Sequence, residues 1–455
     1  MKLKDKVVFV IGLAVTGVPL VKVLSKLGAK IIVNDLKSEE QLVDTLKELE
    51  GIEASYILGK HPEDIKQLGG IDLVVASPGV PLDIPFIQYF RDENIEIIGE
   101  IELAYRLASA QVVAITGTNG KTTTTALTGE IFKHGGKNTF VVGNIGVAAI
   151  SKALETTPND FMVMEVSSFQ LESVVEFHPK VAALLNLTPD HLNRHKTMEN
   201  YLEAKLNIFQ NQSSGDYAVV NYDNQTVRDA SNRLKAKKIY FSRKEILSEG
   251  VFVEDGNIVV LLDGRKERVL AANEIKMPGD HNLENALAAT AMAFLVGINV
   301  ESIAESLRTF GGVEHRTEYV GEVNGVAFIN DSKGTNPDAS INAVKGIKAP
   351  IILLAGGMDK GNDYTEFIEA FNGKVKKMVV YGETAEKIYE TAKGLNFHQV
   401  TKVKDLEEAV KLAYGVATEG DTILLSPACA SWDMYKNFEE RGKHFKEIVS
   451  NIRRA

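Results

Sequence analysis

Short, β-branched apolar runs, each closed by a glycine or polar turn and followed by a helical pattern, recur along the whole of this 455-residue chain. A parallel strand needs a crossover before its neighbour can pair with it, so this alternation commits the chain to parallel sheets covered by helices. The first block reads KVVFVIG, a helix over residues 18–27, AKIIVND, DLVVASPG and EIIGE. The second reads QVVAITG, NTFVVGN, FMVMEVSS, VAALLNL and YAVVNYD, a doubly wound pattern. VFVEDG and NIVVLLDG then meet at an Asp-Gly turn, which predicts an antiparallel hairpin. A strong Ala- and Leu-rich helix over residues 282–296 follows. The third block, after Gly311-Gly312, reads VAFIND, PIILLAGG, KMVVYG and DTILLSPA. Pattern breaks and chain length place three domains, at residues 1–98, 99–312 and 313–455.

The sharpest local signal is AITGTNGKTTTTAL, residues 114–127, where an apolar strand runs into a glycine-bearing loop and then a helix. Glycine lets the backbone approach a phosphate, N–H groups at the helix start attract anions, and a lysine adds a point charge. Ile115 stands where the general G-x-x-x-x-G-K-[ST] pattern has its first glycine and Gly117 comes two residues later, so the spacing predicts a variant loop. Glu165, ending FMVME, is suited to ligate Mg²⁺ beside such a loop. His191 in NLTPDHLNRH is read as closing the next strand, and taken alone it reads as a polar strand end. GLAVTG, residues 12–17, with Asp35 after it, is a damaged dinucleotide fingerprint in which Ala14 replaces the second glycine. It admits two readings, a nucleotide site or helix–strand packing.

Composition narrows the function. The net charge of -10 and pI near 5.6 supply no basic footprint for nucleic acid. A single cysteine, Cys429, rules out a disulfide framework and reads as a packed small residue. The amino terminus lacks the signature of a signal peptide, and no run reaches the about 18 to 20 apolar residues of a membrane span. A cytoplasmic protein without membrane insertion is expected.

TGTNGKTTT, EVSSFQLE, NLTPDHLNRH, YLEAKLNIF, GDHNLENALAA, HRTE, NDSKGTNPD and SPACASWDMYKNFEERG follow one another in this chain. In that order they resemble the Mur ligases over essentially its whole length. The resemblance implies an α/β fold of three domains: a Rossmann-like N-terminal domain for the UDP end of the substrate, a central P-loop ATPase-like domain with a mainly parallel sheet, and a Rossmann-like C-terminal domain for the amino acid. It also implies that GLAVTG serves a uridine nucleotide and not NAD.

Carried over by motif, Gly117, Thr118, Asn119, Gly120, Lys121, Thr122 and Thr123 would hold ATP, with Lys121 on the phosphates. Thr122, Glu165, His191 and Lys205 would serve two Mg²⁺ ions, Lys205 as a carbamate. By itself Lys205 reads as a solvated helix residue. Lys121, Glu165, His191 and Lys205 form the implied catalytic set. Asn282 and Asn285 would contact adenine, Arg316 the γ-phosphate and Asp331 the ribose. Val15, Thr16, Asp35 and Gly79 would meet the uracil and diphosphate, with Asn144 and Ser167 on the same substrate. Leu36 departs from the family's polar residue, which leaves a backbone contact there. Lys333, Thr335, Lys360, Ser431 and Phe438 would surround the amino acid.

The activity so implied is an ATP-dependent, ADP-forming ligase of peptidoglycan precursor synthesis. It would join D-glutamate to UDP-N-acetylmuramoyl-L-alanine through an acyl phosphate, as a monomer. Another amide ligase of the superfamily is the nearest alternative; SPACASWDMYKNFEERG and DSKGTNPD argue against it. A dinucleotide-dependent oxidoreductase built on the first domain, or a nucleotide-binding regulator, would be separated by NADH titration and by phosphate release.

Overall fold

The computed structural model describes residues 1–13, 16–62, 65–144, 146–277, 279–359 and 361–454, and all counts below refer to these. They pack as two compact units, Met1–Phe310 and Gly311–Ala455. The first unit holds two sheets. One contains β1 (Val7–Ile11), β2 (Lys30–Asp35), β3 (Ala54–Leu58), β4 (Leu73–Ala76) and β5 (Ile97–Gly99), in the order β3-β2-β1-β4-β5 and parallel throughout. The other contains β6 (Gln111–Thr116), β7 (Thr139–Gly143), β8 (Phe161–Glu165), β9 (Val181–Leu184), β10 (Tyr217–Asn221), β11 (Lys237–Ser242), β12 (Gly250–Glu254), β13 (Asn257–Leu262) and β14 (Arg265–Ala271). Its order is β14-β13-β12-β11-β10-β9-β6-β8-β7, parallel from β7 to β12. The second unit holds β15 (Glu318–Val323), β16 (Val326–Asn330), β17 (Ile351–Gly356), β18 (Val375–Tyr381), β19 (Val400–Lys402) and β20 (Thr422–Leu425), in the order β15-β16-β20-β17-β18-β19. Only β15 is antiparallel to its neighbour.

Period-two alternation explains the layers. In β6, Val112 and Ala114 face one apolar cluster while Val113 and Ile115 face another built on helix Asp280–Leu295. The first of these clusters also contains Val8 and Val10 of β1, with Ile101 and Leu103 between, so the two sheets of the first unit share one core. The hairpin is present: Asp255 and Gly256 both have positive φ, 47° and 73°, as a tight two-residue turn requires, and β12 pairs antiparallel with β13. Among the described residues no helix is long and apolar enough to cross a membrane. Strands absent from the sequence reading are β3, β11, β14, β15 and β19, of which β3, β14, β15 and β19 are sheet edges. β14, RKERVLA, is mostly charged, so no apolar alternation marks it.

Candidate active site

The phosphate loop spans the gap between β6 and helix Lys121–His134. Ile115 is fully buried inside β6, and the loop's first glycine, Gly117, follows the end of that strand. Gly120 is required twice over: its φ is +81°, and a Cβ there would lie 2.3 Å from Asn285 Oδ1. Asn186 braces the loop from below, accepting the Asn119 N–H at 2.8 Å through Oδ1 and donating to the Asn119 carbonyl at 3.1 Å. Asn285 braces the helix, its Oδ1 accepting from Thr124 Oγ1 at 3.1 Å while its amide reaches Asn282 Oδ1 at 3.3 Å. The loop is therefore held in shape by protein contacts before any ligand is considered.

Two amines converge on it. Lys121 Nζ curls back to the carbonyls of Gly117 and Thr118 at 3.0 and 2.9 Å. Lys205 Nζ donates to the same Gly117 carbonyl at 2.8 Å and lies 4.6 Å from the Tyr201 ring centroid. Lys205 is 1% exposed, so it is not the solvated residue its local pattern suggests. Burial pushes its pKa well down, the Lys121 charge adds to this, and Asp190 and Glu165 offset only part.

Thr122 is buried in the first helical turn, with Thr123 half-buried beside it. Glu165 ends β8, 2% exposed. Its Oε1 accepts from Asn144 Nδ2 at 2.9 Å, and its Oε2 is buried with no hydrogen-bond partner among the described residues. Such an orphaned oxygen is costly unless a cation or donor arrives. Gly143, φ +107°, lets the Asn144 turn approach, since a Cβ would lie 2.2 Å from the Glu165 carbonyl. Ser167 caps helix Ser168–Leu171 in a reciprocal capping box with Gln170. His191 departs from expectation: β9 ends at Leu184, and His191 stands well beyond it as the left-handed N-cap, φ 53°, of helix Leu192–His195. Its ring lies 4.9 Å from that of Phe169.

In the first sheet the glycines of GLAVTG serve close packing. A Cβ on Gly12 would lie 2.9 Å from Ser77 Cβ, and one on Gly17 2.6 Å from the Gly12 carbonyl. Asp35 ties two loops, accepting from the Leu13 N–H at 2.7 Å and the Lys37 N–H at 2.8 Å. Thr16 stands at the N-cap position of helix Gly17–Lys26 without a side-chain cap bond, Leu36 is 62% exposed, and Gly79 faces open space. Val15 lies outside the described residues.

Within the second unit, Arg316 is exposed, whereas Asp331 is buried and accepts from Ser426 Oγ at 2.6 Å and the Thr317 N–H at 3.1 Å. Burial raises the Asp331 pKa to about 6 against the opposing pull of Ser426 and Arg316. The Lys333 N–H reaches the His315 carbonyl at 3.0 Å, joining the HRTE and NDSKGTNPD segments, and the Thr335 N–H returns to the Lys333 carbonyl at 2.9 Å. Ser431 is buried, Phe438 opens helix Phe438–Arg454, and Lys360 lies outside the described residues. Cys429 is buried as expected, its Sγ 3.1 Å from Tyr364 Oη. Sequence reasoning missed Arg441, fully buried, whose guanidinium donates to Ser332 Oγ at 3.0 Å and to the Ser332 and Cys429 carbonyls at 2.9 and 3.1 Å. It joins the loop bearing Lys333 to the one bearing Ser431. Asn186, Tyr201 and His195 were also missed; each stood inside a quoted or adjoining motif with no chemistry of its own to mark it.

A phosphate loop after a parallel strand, flanked by a buried carboxylate at the end of the neighbouring strand, defines a nucleotide-using α/β protein of the phosphate-loop class. Family models match three consecutive stretches: Mur ligase MurD-like, N-terminal domain over residues 6–99; Mur ligase middle domain over 115–293; and Mur ligase, glutamate ligase domain over 315–429. The UDP-N-acetylmuramoylalanine–D-glutamate ligases of Alkaliphilus oremlandii and Clostridioides difficile are 65% and 50% identical, over 100% of this chain and 100% of each relative. The chain belongs to the Mur ligase family. Its fold is shared with the UDP-N-acetylmuramate-alanine ligase of Thermotoga maritima, TM-score 0.56 at 20% identity, covering 98% of this chain and 99% of that one. The MurF ligase of the same organism in complex with ADP gives 0.54 at 17%, covering 94% and 96%.

Proposed function

We infer that this chain is an ATP-dependent, ADP-forming amide ligase that joins D-glutamate to UDP-N-acetylmuramoyl-L-alanine in peptidoglycan precursor synthesis. The observation that carries this is 65% identity, end to end on both chains, to an enzyme of that name. A carboxylate acylates poorly because oxide cannot leave. Transfer of the ATP γ-phosphoryl to the L-alanyl carboxylate gives an acyl phosphate and ADP; the D-glutamate amine then attacks its carbonyl carbon, loses a proton, and inorganic phosphate departs. Lys121 would leave the loop carbonyls for the nucleotide's phosphates, and the catalytic gain would be positioning and charge stabilisation. Mg²⁺, when bound, supplies positive charge for the shifting phosphoryl oxygens. Thr122 and Glu165 would hold it: the partnerless Glu165 Oε2 fits a cation.

The finer reading gives Lys205 a carbamate. Only a neutral amine attacks CO₂, and burial beside Lys121 favours that neutral form; the new N–C bond leaves a carbamate anion and a released proton. His191 and this anion would serve a second Mg²⁺. Residues 1–98 would take the UDP end through Thr16, Asp35 and Gly79, residues 99–312 the ATP, and residues 313–455 the D-glutamate through Lys333, Thr335, Lys360, Ser431 and Phe438. The enzyme would act in the cytoplasm as a monomer. The test is phosphate release and product mass with UDP-N-acetylmuramoyl-L-alanine, ATP and Mg²⁺, each omitted in turn, against a panel of amino acids. D-Glutamate should be coupled, and L-glutamate, L-lysine and diaminopimelate rejected, because the lysines proposed for the pocket would repel a basic side chain and unpaired donors would penalise the wrong acid. Comparable turnover with L-lysine or diaminopimelate would refute the substrate assignment.

A further inference from the structure

Helix Leu192–His195 carries two basic side chains that end on one carboxylate. Arg194 Nη2 donates to Glu172 Oε2 at 2.6 Å, and His195 Nδ1 lies 3.5 Å from Glu172 Oε1. The backbone N–H groups of Arg194 and His195 both return to the His191 carbonyl at 3.0 Å, so this turn sets the His191 backbone. Arg194 reaches further. Its Nη2 also donates to the Val80 carbonyl at 3.3 Å, and its guanidinium carbon lies 5.6 Å from the Phe169 ring centroid. Val80 closes the turn after β4, its N–H on the Ser77 carbonyl at 2.9 Å; the Ser77 N–H in turn holds the Ile11 carbonyl at 2.8 Å, at the end of β1. Gly79, with open space beside it, sits in that turn. Beside this contact lies a crevice of about 190 Å³ lined by Leu82 and Arg91 together with Glu172 and Ser173.

We propose that Arg194 is a positioning residue for the nucleotide-sugar substrate: it holds the Gly79 turn of the first sheet in register with the helix that carries His191. This rests on the reading that the Gly79 turn takes the uridine diphosphate end and His191 the acyl end. One long substrate must then meet both at a fixed separation, and although the two sheets share one core, a brace on the turn itself removes a local freedom that binding would otherwise have to freeze. Only a guanidinium suits this place, because it combines a charged pair, a second hydrogen bond and a stacked face, whereas an ammonium is a point charge. The ATP loop is held by Asn186, Thr188 and Asn285, whereas Arg194 bonds to Glu172 and Val80, so the larger effect falls on the nucleotide-sugar substrate.

Arg194→Met, Arg194→Lys and Glu172→Gln of the full chain, compared with the parent by steady-state kinetics, test this. Arg194→Met should raise KM for UDP-N-acetylmuramoyl-L-alanine about tenfold, equivalent to about 1.4 kcal/mol, with KM for ATP within about twofold. Glu172→Gln, which keeps Arg194 and an acceptor, should give a smaller rise in the same KM. If Arg194→Met does not fold, Arg194→Lys carries the same comparison. Equal rises for both substrates would mean general loosening and overturn the proposal, as would unchanged KM values in a parent that saturates with the nucleotide sugar. A parent that does not saturate with it at all sinks the functional reading and this inference together.

Discussion

Replacing Gly120 by alanine isolates how far the loop's preformed shape supports nucleotide binding. An L-residue held at φ +81° is strained by about 1–2 kcal/mol. The new methyl would stand 2.3 Å from Asn285 Oδ1, inside contact distance, so the carboxamide must move and release the 3.1 Å bond from Thr124 Oγ1. That bond is worth about 1 kcal/mol. The sum, about 2–3 kcal/mol, is relieved whenever the loop leaves its phosphate-cradling form, so it is charged against nucleotide affinity: ADP should bind about 30- to 150-fold more weakly. Calorimetric titration of ADP with Mg²⁺ reads this directly, and KM for ATP should rise in parallel. Asn285→Ala in the Gly120→Ala background removes the clash but not the strain, so the two changes should combine less than additively. Gly120→Ala binding ADP within threefold of the parent, or strict additivity with Asn285→Ala, would refute the close-packing argument.

Two further outcomes follow from buried charge. Lys205→Ala should lose most ligase activity and Lys205→Glu should regain part of it, because the proposed working form is an anion; full activity of Lys205→Ala in the phosphate-release assay would contradict this. Glu100 is buried, with Oε1 on the Ile150 N–H at 2.7 Å and no partner for Oε2 among the described residues, and burial raises its pKa from 4.5 to about 7. Between those values the folded chain holds a proton that the unfolded chain has lost, so stability falls as pH rises through this window. Glu100→Gln, which keeps an acceptor and removes the charge, should therefore raise the thermal midpoint of the first unit at pH 8, by up to about 3 kcal/mol of stability, and leave it unchanged at pH 4. A midpoint equal to the parent's at pH 8 would show that the carboxylate finds compensation elsewhere.

The parts of this molecule legible in its sequence are those whose cause is local. β1, β4, β6, β8, β9 and β10 announce themselves because both faces are buried, giving continuous apolar runs. The Asp255-Gly256 turn is written in two adjacent residues. β14 and β15 are not, since a hairpin edge strand such as RKERVLA is fixed by the partner it pairs with and not by its own pattern. The same division runs through the site. The phosphate loop could be found from glycine, lysine and the strand before it, because its chemistry is done by consecutive backbone groups. Lys205 could not: in YLEAKL it is a polar residue on a helix, and only the Gly117 carbonyl, distant in sequence, makes it a buried amine. Arg441 and Arg194 are harder still, since besides one side-chain partner, Ser332 and Glu172 respectively, each grips backbone carbonyls, which carry no residue identity for a motif to record. A side chain that works by gripping main chain leaves no partner residue in the sequence to point to it, so such braces emerge only when the loops they join are seen side by side.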